Sequence, residues 1–211
     1  MGVTVTGEQT SSGRLICLTF DNGPDEYTQA ILDVLDTYAV RATFFLKGKN
    51  VENYPEIARL LRGTSHEIGN HTYSNAAISS STVASTASDI EKTDRLIEEA
   101  VGVTPTLLRA SDARLPESLF TSFIDTRRFV GRGIIIPDTD ETLTQEEISA
   151  YALRKSYSTA VLTFHDAGAN TAAALEILIP ELLKEGYRFV TVSEMIEYTQ
   201  NTENVFSTLP K

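Results

Sequence analysis

Short apolar runs alternate with helix-patterned stretches along nearly the whole chain, and that rhythm restricts the fold more than any other feature. Arg14–Phe20 (RLICLTF) is branched, aromatic and continuous, the pattern of a strand buried on both faces. The turn residues Asp21-Asn22-Gly23-Pro24-Asp25 follow, and Ile31, Val34, Leu35 and Tyr38 then recur at helical spacing. The pattern continues with a strand over Val40–Leu46, a helix over Glu52–Arg62 closed by Gly63, and a weaker strand over Ser65–Asn70. Residues 78–88 are Ser/Thr/Ala-rich, a loop or the lead-in to a helix over Asp89–Val101. Val103–Leu108, Phe129–Ile136, Ala160–Phe164 and Tyr187–Val192 read as further strands. Thr171–Lys184 reads as a helix kinked or restarted at Pro180, and Ser193 is placed to cap a final short helix.

Strands that alternate with helices predict an α/β architecture with a mostly parallel sheet. Strands this numerous and this evenly spaced exceed a small open sheet, while 211 residues fall short of eight full units. The expected fold is therefore a distorted, incomplete (β/α) barrel of about seven to eight strands in a single domain. Its core is expected over about 14–198, with polar tails at 1–13 and 199–211.

Charge narrows the partners. Lys and Arg total 18 against 29 Asp and Glu, a formal net charge of −11. Such a body repels nucleic acids and anionic membrane surfaces, and no apolar run is long enough to span a bilayer. The first residues have neither a basic n-region nor an apolar h-region, so no signal peptide is visible in them. The lone cysteine, Cys17, sits within an apolar run and reads as a buried small hydrophobe.

In parallel α/β folds, functional groups collect beyond the C-terminal ends of the strands. Asp21, His71, Arg109 and His165 each follow directly, or within a residue, on an apolar run. Each alone could be a satisfied structural residue, but four at equivalent positions point to one site.

The segments LTFDNGP, EIGNHTYSN, LLR, VLTFHD and GYRFVTVSEM, in that order, resemble the polysaccharide deacetylases. This is carbohydrate esterase family four, which includes chitin deacetylases and peptidoglycan N-acetylglucosamine deacetylases. The resemblance runs from about Arg14 to Tyr198. It implies a distorted (β/α) barrel and metal-assisted hydrolysis of acetamides on a neutral sugar polymer at the cell wall or outside the cell. It implies zinc or another divalent ion held by an Asp and two His. It assigns Asp21 as general base, Arg109 as the residue orienting it, His165 as general acid and His71 as a metal ligand.

The departures carry as much information. Asn22 and Asn75 stand where the family has its metal-binding Asp and second metal His. A carboxamide is a poor substitute for either toward zinc. Thr163 replaces the leucine of the acetyl pocket, Ala110-Ser111-Asp112 replaces a proline/aromatic segment, and Trp is absent from the whole chain. Asp138 or Asp140 is a candidate support for His165, and Tyr73 a candidate sugar-stacking ring. Asn70-His71-Thr72 is a glycosylation sequon, read as coincidental because it falls at the pocket mouth. Two functions stay open: a binding protein with weak or no activity on chitin, and an active deacetylase with an atypical metal site or a non-chitin acetylated substrate.

Overall fold

The computed structural model describes residues 14–74, 83–110, 121, 123, 125–166 and 168–200. Among them the strands are β1 (Arg14–Asp21), β2 (Thr43–Leu46), β3 (Glu67–Asn70), β4 (Leu107–Leu108), β5 (Arg128–Phe129), β6 (Ile134–Ile135), β7 (Ala160–His165) and β8 (Tyr187–Phe189). The helices are α1 (Thr28–Thr37), α2 (Gly48–Asn53), α3 (Pro55–Leu60), α4 (Val83–Val101), α5 (Gln145–Lys155), α6 (Thr171–Lys184) and α7 (Val192–Gln200).

All strand pairs are parallel, in the order β5-β4-β3-β2-β1-β7-β6, with β8 joined to β1. β8 pairs with Arg14–Ile16 and β2 with Thr19–Asp21, so the two share successive halves of β1. The two ends of this order are β5 and β6. A flat row of seven strands would place them about 29 Å apart, at roughly 4.8 Å per step. The chain from Phe129 to Ile134 can reach no further than about 18 Å. The sheet must therefore curl into a ring with one seam that no ladder crosses, the distorted barrel expected from the sequence.

The pleat sorts side chains to the two faces. Ile16, Leu18 and Phe20 of β1 point outward and pack with Ile31 and Leu35 of α1 and Leu175, Leu178 and Leu182 of α6. The Phe20 ring stacks on Phe44 with centroids 4.9 Å apart and lies 5.9 Å from Phe164. The alternate residues point into the barrel. Leu15 and Cys17 join Val161, Val190 and Met195 at its base. Phe45, Leu107, Val130 and Val192 add a second apolar group. Thr19 and Asp21 continue the same row, so interior polarity rises toward the C-terminal end of the strands.

Helix α7 plugs the base. Val192 N–H donates to Thr43 Oγ1 at 3.0 Å and Ser193 N–H to Glu67 Oε2 at 3.1 Å. The cap is Thr191, not Ser193: Glu194 N–H donates to Thr191 Oγ1 at 3.4 Å, and Thr191 N–H to Glu194 Oε2 at 2.9 Å. The reciprocal Thr-x-x-Glu pairing satisfies two N–H groups, which a serine two residues later cannot do.

Other boundaries also move. The single helix expected over Glu52–Arg62 is two, α2 and α3, meeting at Tyr54-Pro55, since Pro55 has no N–H and opens the second. The strand expected over Phe129–Ile136 is divided into β5 and β6 by Gly131 and Gly133, and Gly133 has φ 65°. The strands expected over Val103–Leu108 and Tyr187–Val192 shorten to β4 and β8. Helix α4 begins at Val83, ahead of its expected start. The weak apolar pattern over Gln145–Lys155 does not predict helix α5, which is opened by a full capping box of Thr144 and Glu147.

Candidate active site

Asp21 ends β1 and His165 ends β7, and the two are Cα partners in the ladder. His71 follows β3 and Arg109 follows β4, with Arg109 N–H bonded to Asn70 O at 2.9 Å. All four residues predicted from the sequence therefore meet at one rim of the barrel.

The Arg109 side chain is fully buried, its guanidinium 3.9 Å from the centroid of the Phe45 ring. Its Nη1 donates to Asp21 Oδ1 at 2.7 Å and to Thr19 Oγ1 at 2.9 Å. Its Nε and Nη2 are buried and have no partner among the described residues. Burial lowers the proton affinity of Arg109, and Asp21 opposes that shift.

Two neighbouring hydroxyls lie between Arg109 and the Arg132 carbonyl. Thr163 Oγ1 donates to the Arg132 carbonyl by a short hydrogen bond, which uses its only proton. Thr19 Oγ1 accepts from Arg109 and lies 3.0 Å from Thr163 Oγ1 and 3.3 Å from the Leu162 carbonyl, the two acceptors open to its single proton. Thr163 is thus tied into a polar ladder inside the barrel.

The tautomer of His71 follows from its partner. Its Nδ1 is 2.7 Å from the Arg109 carbonyl, which only accepts, so Nδ1 carries the hydrogen and Nε2 keeps its lone pair. That Nε2 lies 3.8 Å from Asp21 Oδ2. Burial lowers the pKa of His71, with Asp21 acting against it.

His165 is the opposite case. Its Nδ1 donates to Asp138 Oδ1 at 2.9 Å, and its backbone N–H donates to Asp138 Oδ2 at 2.7 Å. Thr171 Oγ1 donates to the same Oδ2 at 2.8 Å. The bond to Asp138 raises the pKa of His165 against the desolvation that lowers it. The shift favours the imidazolium, with Nδ1 bonded to Asp138 and the second proton on Nε2. Asp138, not Asp140, is the supporting carboxylate; Asp140 is exposed and accepts from Thr142 at 3.0 Å in its own turn.

Asn22 has φ 75°, a left-handed conformation that asparagine tolerates. Its carbonyl accepts from Asn50 Nδ2 at 2.8 Å. Asn75 lies outside the described residues. Among the described residues no group of three or more His, Cys, Asp or Glu side chains is arranged to hold a metal ion.

Other expectations resolve by packing. Tyr73 bonds Glu52 through its hydroxyl, and Lys92 Nζ covers its ring at 3.6 Å, so this face is occupied. Asn70 is fully buried and donates to Ile90 O at 2.9 Å and Asp94 Oδ1 at 2.8 Å, which closes the sequon to modification in the folded chain. Cys17 is fully buried and donates to Thr191 O at 3.4 Å, and burial raises its pKa.

Asp166 was missed. Its N–H donates to Asp21 O at 2.9 Å, and its carboxyl accepts from Thr28 Oγ1 at 3.0 Å. A Cβ on Gly23 would fall 2.0 Å from its Oδ2, which explains the glycine in the turn after Asp21. Full burial, with Asp25 and Asp138 nearby, pushes its pKa well above the usual range. The signal was its place directly after His165.

A family model described as polysaccharide deacetylase matches residues 8–122. A peptidoglycan-N-acetylglucosamine deacetylase of Bacillus cereus is 33% identical over 204 residues, covering 92% of this chain and 93% of that protein. The chain belongs to the polysaccharide deacetylase family. Among solved structures, a variant of the peptidoglycan deacetylase PdaC from Bacillus subtilis superposes on this deacetylase homologue with a TM-score of 0.82 at 27% identity, covering 90% of this chain and 94% of that one. A family 4 acetyl xylan esterase from Clostridium thermocellum, in complex with a cobalt ion, gives 0.81 at 30% identity, covering 93% and 100%.

Proposed function

We propose that this deacetylase homologue binds N-acetylglucosamine polymers or a related neutral glycan at the barrel rim and hydrolyses chitin-type acetamides weakly or not at all. In this reading Asp21 is the base that takes a proton from the attacking water, and Arg109 orients it. His165, held by Asp138, returns a proton to the departing amine as the C–N bond breaks. A bound divalent ion would supply carbonyl polarisation to this chemistry.

The observation that carries the reading is the donor set. His71 offers one imidazole nitrogen, Asp21 Oδ1 is engaged by Arg109 at 2.7 Å, and the sequence has the amides Asn22 and Asn75 at the two other positions where the family has metal ligands. This set does not fit the three-ligand zinc site of an amide hydrolase. The second reading, an active deacetylase with an atypical metal site or a non-chitin acetylated substrate, draws on the intact Asp21–Arg109 and Asp138–His165 pairs. We place the chain's work at the cell wall or cell surface, where such glycans lie. No helix among the described residues is long and apolar enough to cross a membrane.

Calorimetric titration with zinc, paired with acetate release from chitin oligomers, tests the proposal. Weak zinc binding and little acetate are expected. Sub-micromolar zinc at this site with chelator-sensitive turnover would establish the second reading instead.

A further inference from the structure

Helix α6 begins against Asp138, the carboxylate that holds His165, and the two side chains at its start do not cap it. Asn170, the N-cap residue, donates Nδ2 to Leu143 O at 3.0 Å. Thr171 is fully buried and donates its hydroxyl to Asp138 Oδ2 at 2.8 Å. Thr and Asn side chains at a helix start ordinarily turn back to the helix's own N–H groups. Here both reach across to the connection between β6 and α5. Gly168 permits the close approach: a Cβ there would fall 2.5 Å from Thr171 Oγ1 and 2.8 Å from Asp138 O.

The bonds around Asp138 have fixed directions. A carboxylate only accepts, so the single Thr171 hydroxyl proton goes to Oδ2, and the His165 carbonyl, 3.5 Å from the same hydroxyl, is too far to compete. Oδ2 also accepts from the His165 backbone N–H at 2.7 Å, which leaves Oδ1 for the imidazole at 2.9 Å. The other charged groups near this pair are Asp21, Arg132, Asp166 and Glu141, and none of them bonds Asp138 among the described residues.

While His165 is an imidazolium, its charge offsets that of Asp138. Once the Nε2 proton passes to the departing amine as the C–N bond breaks, the ring is neutral and the fully buried Asp138 carboxylate has lost its counter-charge. Such an anion is costly unless donors surround it. Apart from the ring itself, Thr171 is the side-chain donor that stays on it among the described residues.

Resting on the reading of His165 as general acid, we propose that Thr171 is a positioning residue for that acid: its hydroxyl fixes the Asp138 carboxylate and stabilises it after proton release, so that His165 gives up its proton more readily. Gly168 belongs to the same arrangement, because it sets the distance between the start of α6 and Asp138.

Imidazole NMR over a pH series tests this on the full chain without substrate or metal, with the His165 ring identified by its absence from His165→Gln. Thr171→Val replaces the donor by a methyl group, and the His165 midpoint should then rise by about half a pH unit or more, since the lost bond matters most when the ring is neutral. Thr171→Ser should return the midpoint to that of the unmodified chain, and Gly168→Ala should raise it by less than Thr171→Val does. His66 and His71 should keep their midpoints throughout. An unchanged or lowered His165 midpoint in Thr171→Val, an equal rise in Thr171→Ser, or a common shift of all three rings overturns the proposal. Where Thr171→Val does not fold, Gly168→Ala decides: without a rise at His165 the proposal falls. Zinc titration and acetate release test the glycan reading separately, so either can fail alone.

Discussion

Asp21 and His165 are ladder partners on neighbouring strands, yet each forms its closest ion pair with a different residue. Asp21 bonds Arg109 at 2.7 Å and His165 bonds Asp138 at 2.9 Å. The rim therefore holds a carboxylate fixed by a buried cation beside an imidazole fixed by a buried carboxylate. An acid and a base side by side need such separation, or they neutralise one another.

The three histidines should titrate apart. His165 is shifted upward by Asp138, whereas His66 and His71 are shifted downward by burial. Imidazole NMR over a pH series should show one ring titrating above about 6.5 and two below. In Asp138→Asn the upper midpoint should fall. The stabilisation from this pair is full below about pH 6.5, the unfolded value, and is lost as pH rises through the folded pKa of His165. No ring titrating above that value would count against the geometry.

Asp21→Asn should be strongly destabilising. It leaves the fully buried Arg109 without its counter-charge, and Nε and Nη2 already lack partners among the described residues. Breaking a buried pair this way costs about 3–5 kcal/mol. The double variant Asp21→Asn/Arg109→Met removes the stranded charge and should regain part of the loss in urea midpoints. A double variant less stable than Asp21→Asn would show that the ion pair is not what the single change breaks.

Much of this was legible because both faces of a barrel strand are buried, so strands appear as apolar runs and polar residues at their ends stand out. Asp21, His71, Arg109 and His165 were found by that contrast alone. Thr19 and Thr163 were harder: a threonine in such a run looks like ordinary β-propensity, and only the register that places them side by side reveals the ladder. Strands as short as β4, β5 and β6 exist through their partners, and local pattern cannot fix their ends.

Asn22→Asp with Asn75→His should tighten zinc binding by at least about tenfold, because an anionic oxygen and an imidazole replace two neutral amides. Titration calorimetry reads this without requiring turnover. Acetate release should lag behind metal binding, since the chain also has Thr163 and no Trp where the family resemblance implies a leucine at the acetyl group and a tryptophan at the sugar. Unchanged zinc affinity in the double variant would mean that His71 and these positions do not form one site.

Asp166→Asn should become increasingly stabilising as pH rises. Burial and the nearby Asp25 and Asp138 push the Asp166 carboxyl well above its ordinary value of 3.8. Below about pH 3.8, folded and unfolded chains both hold the proton, and the group does not discriminate between them. Above that, the unfolded chain releases its proton while the folded chain retains it, so folding loses free energy until the pH passes the folded pKa. Asparagine has no proton to lose, nearly the same shape, and an oxygen that can accept the Thr28 hydroxyl as Asp166 does at 3.0 Å. The melting temperature of Asp166→Asn minus that of the unmodified chain should therefore grow from pH 4 toward neutrality in a scanning-fluorimetry series. A flat difference would mean that Asp166 ionises freely where it lies, and a shrinking one would mean that its charge stabilises the turn between β1 and α1.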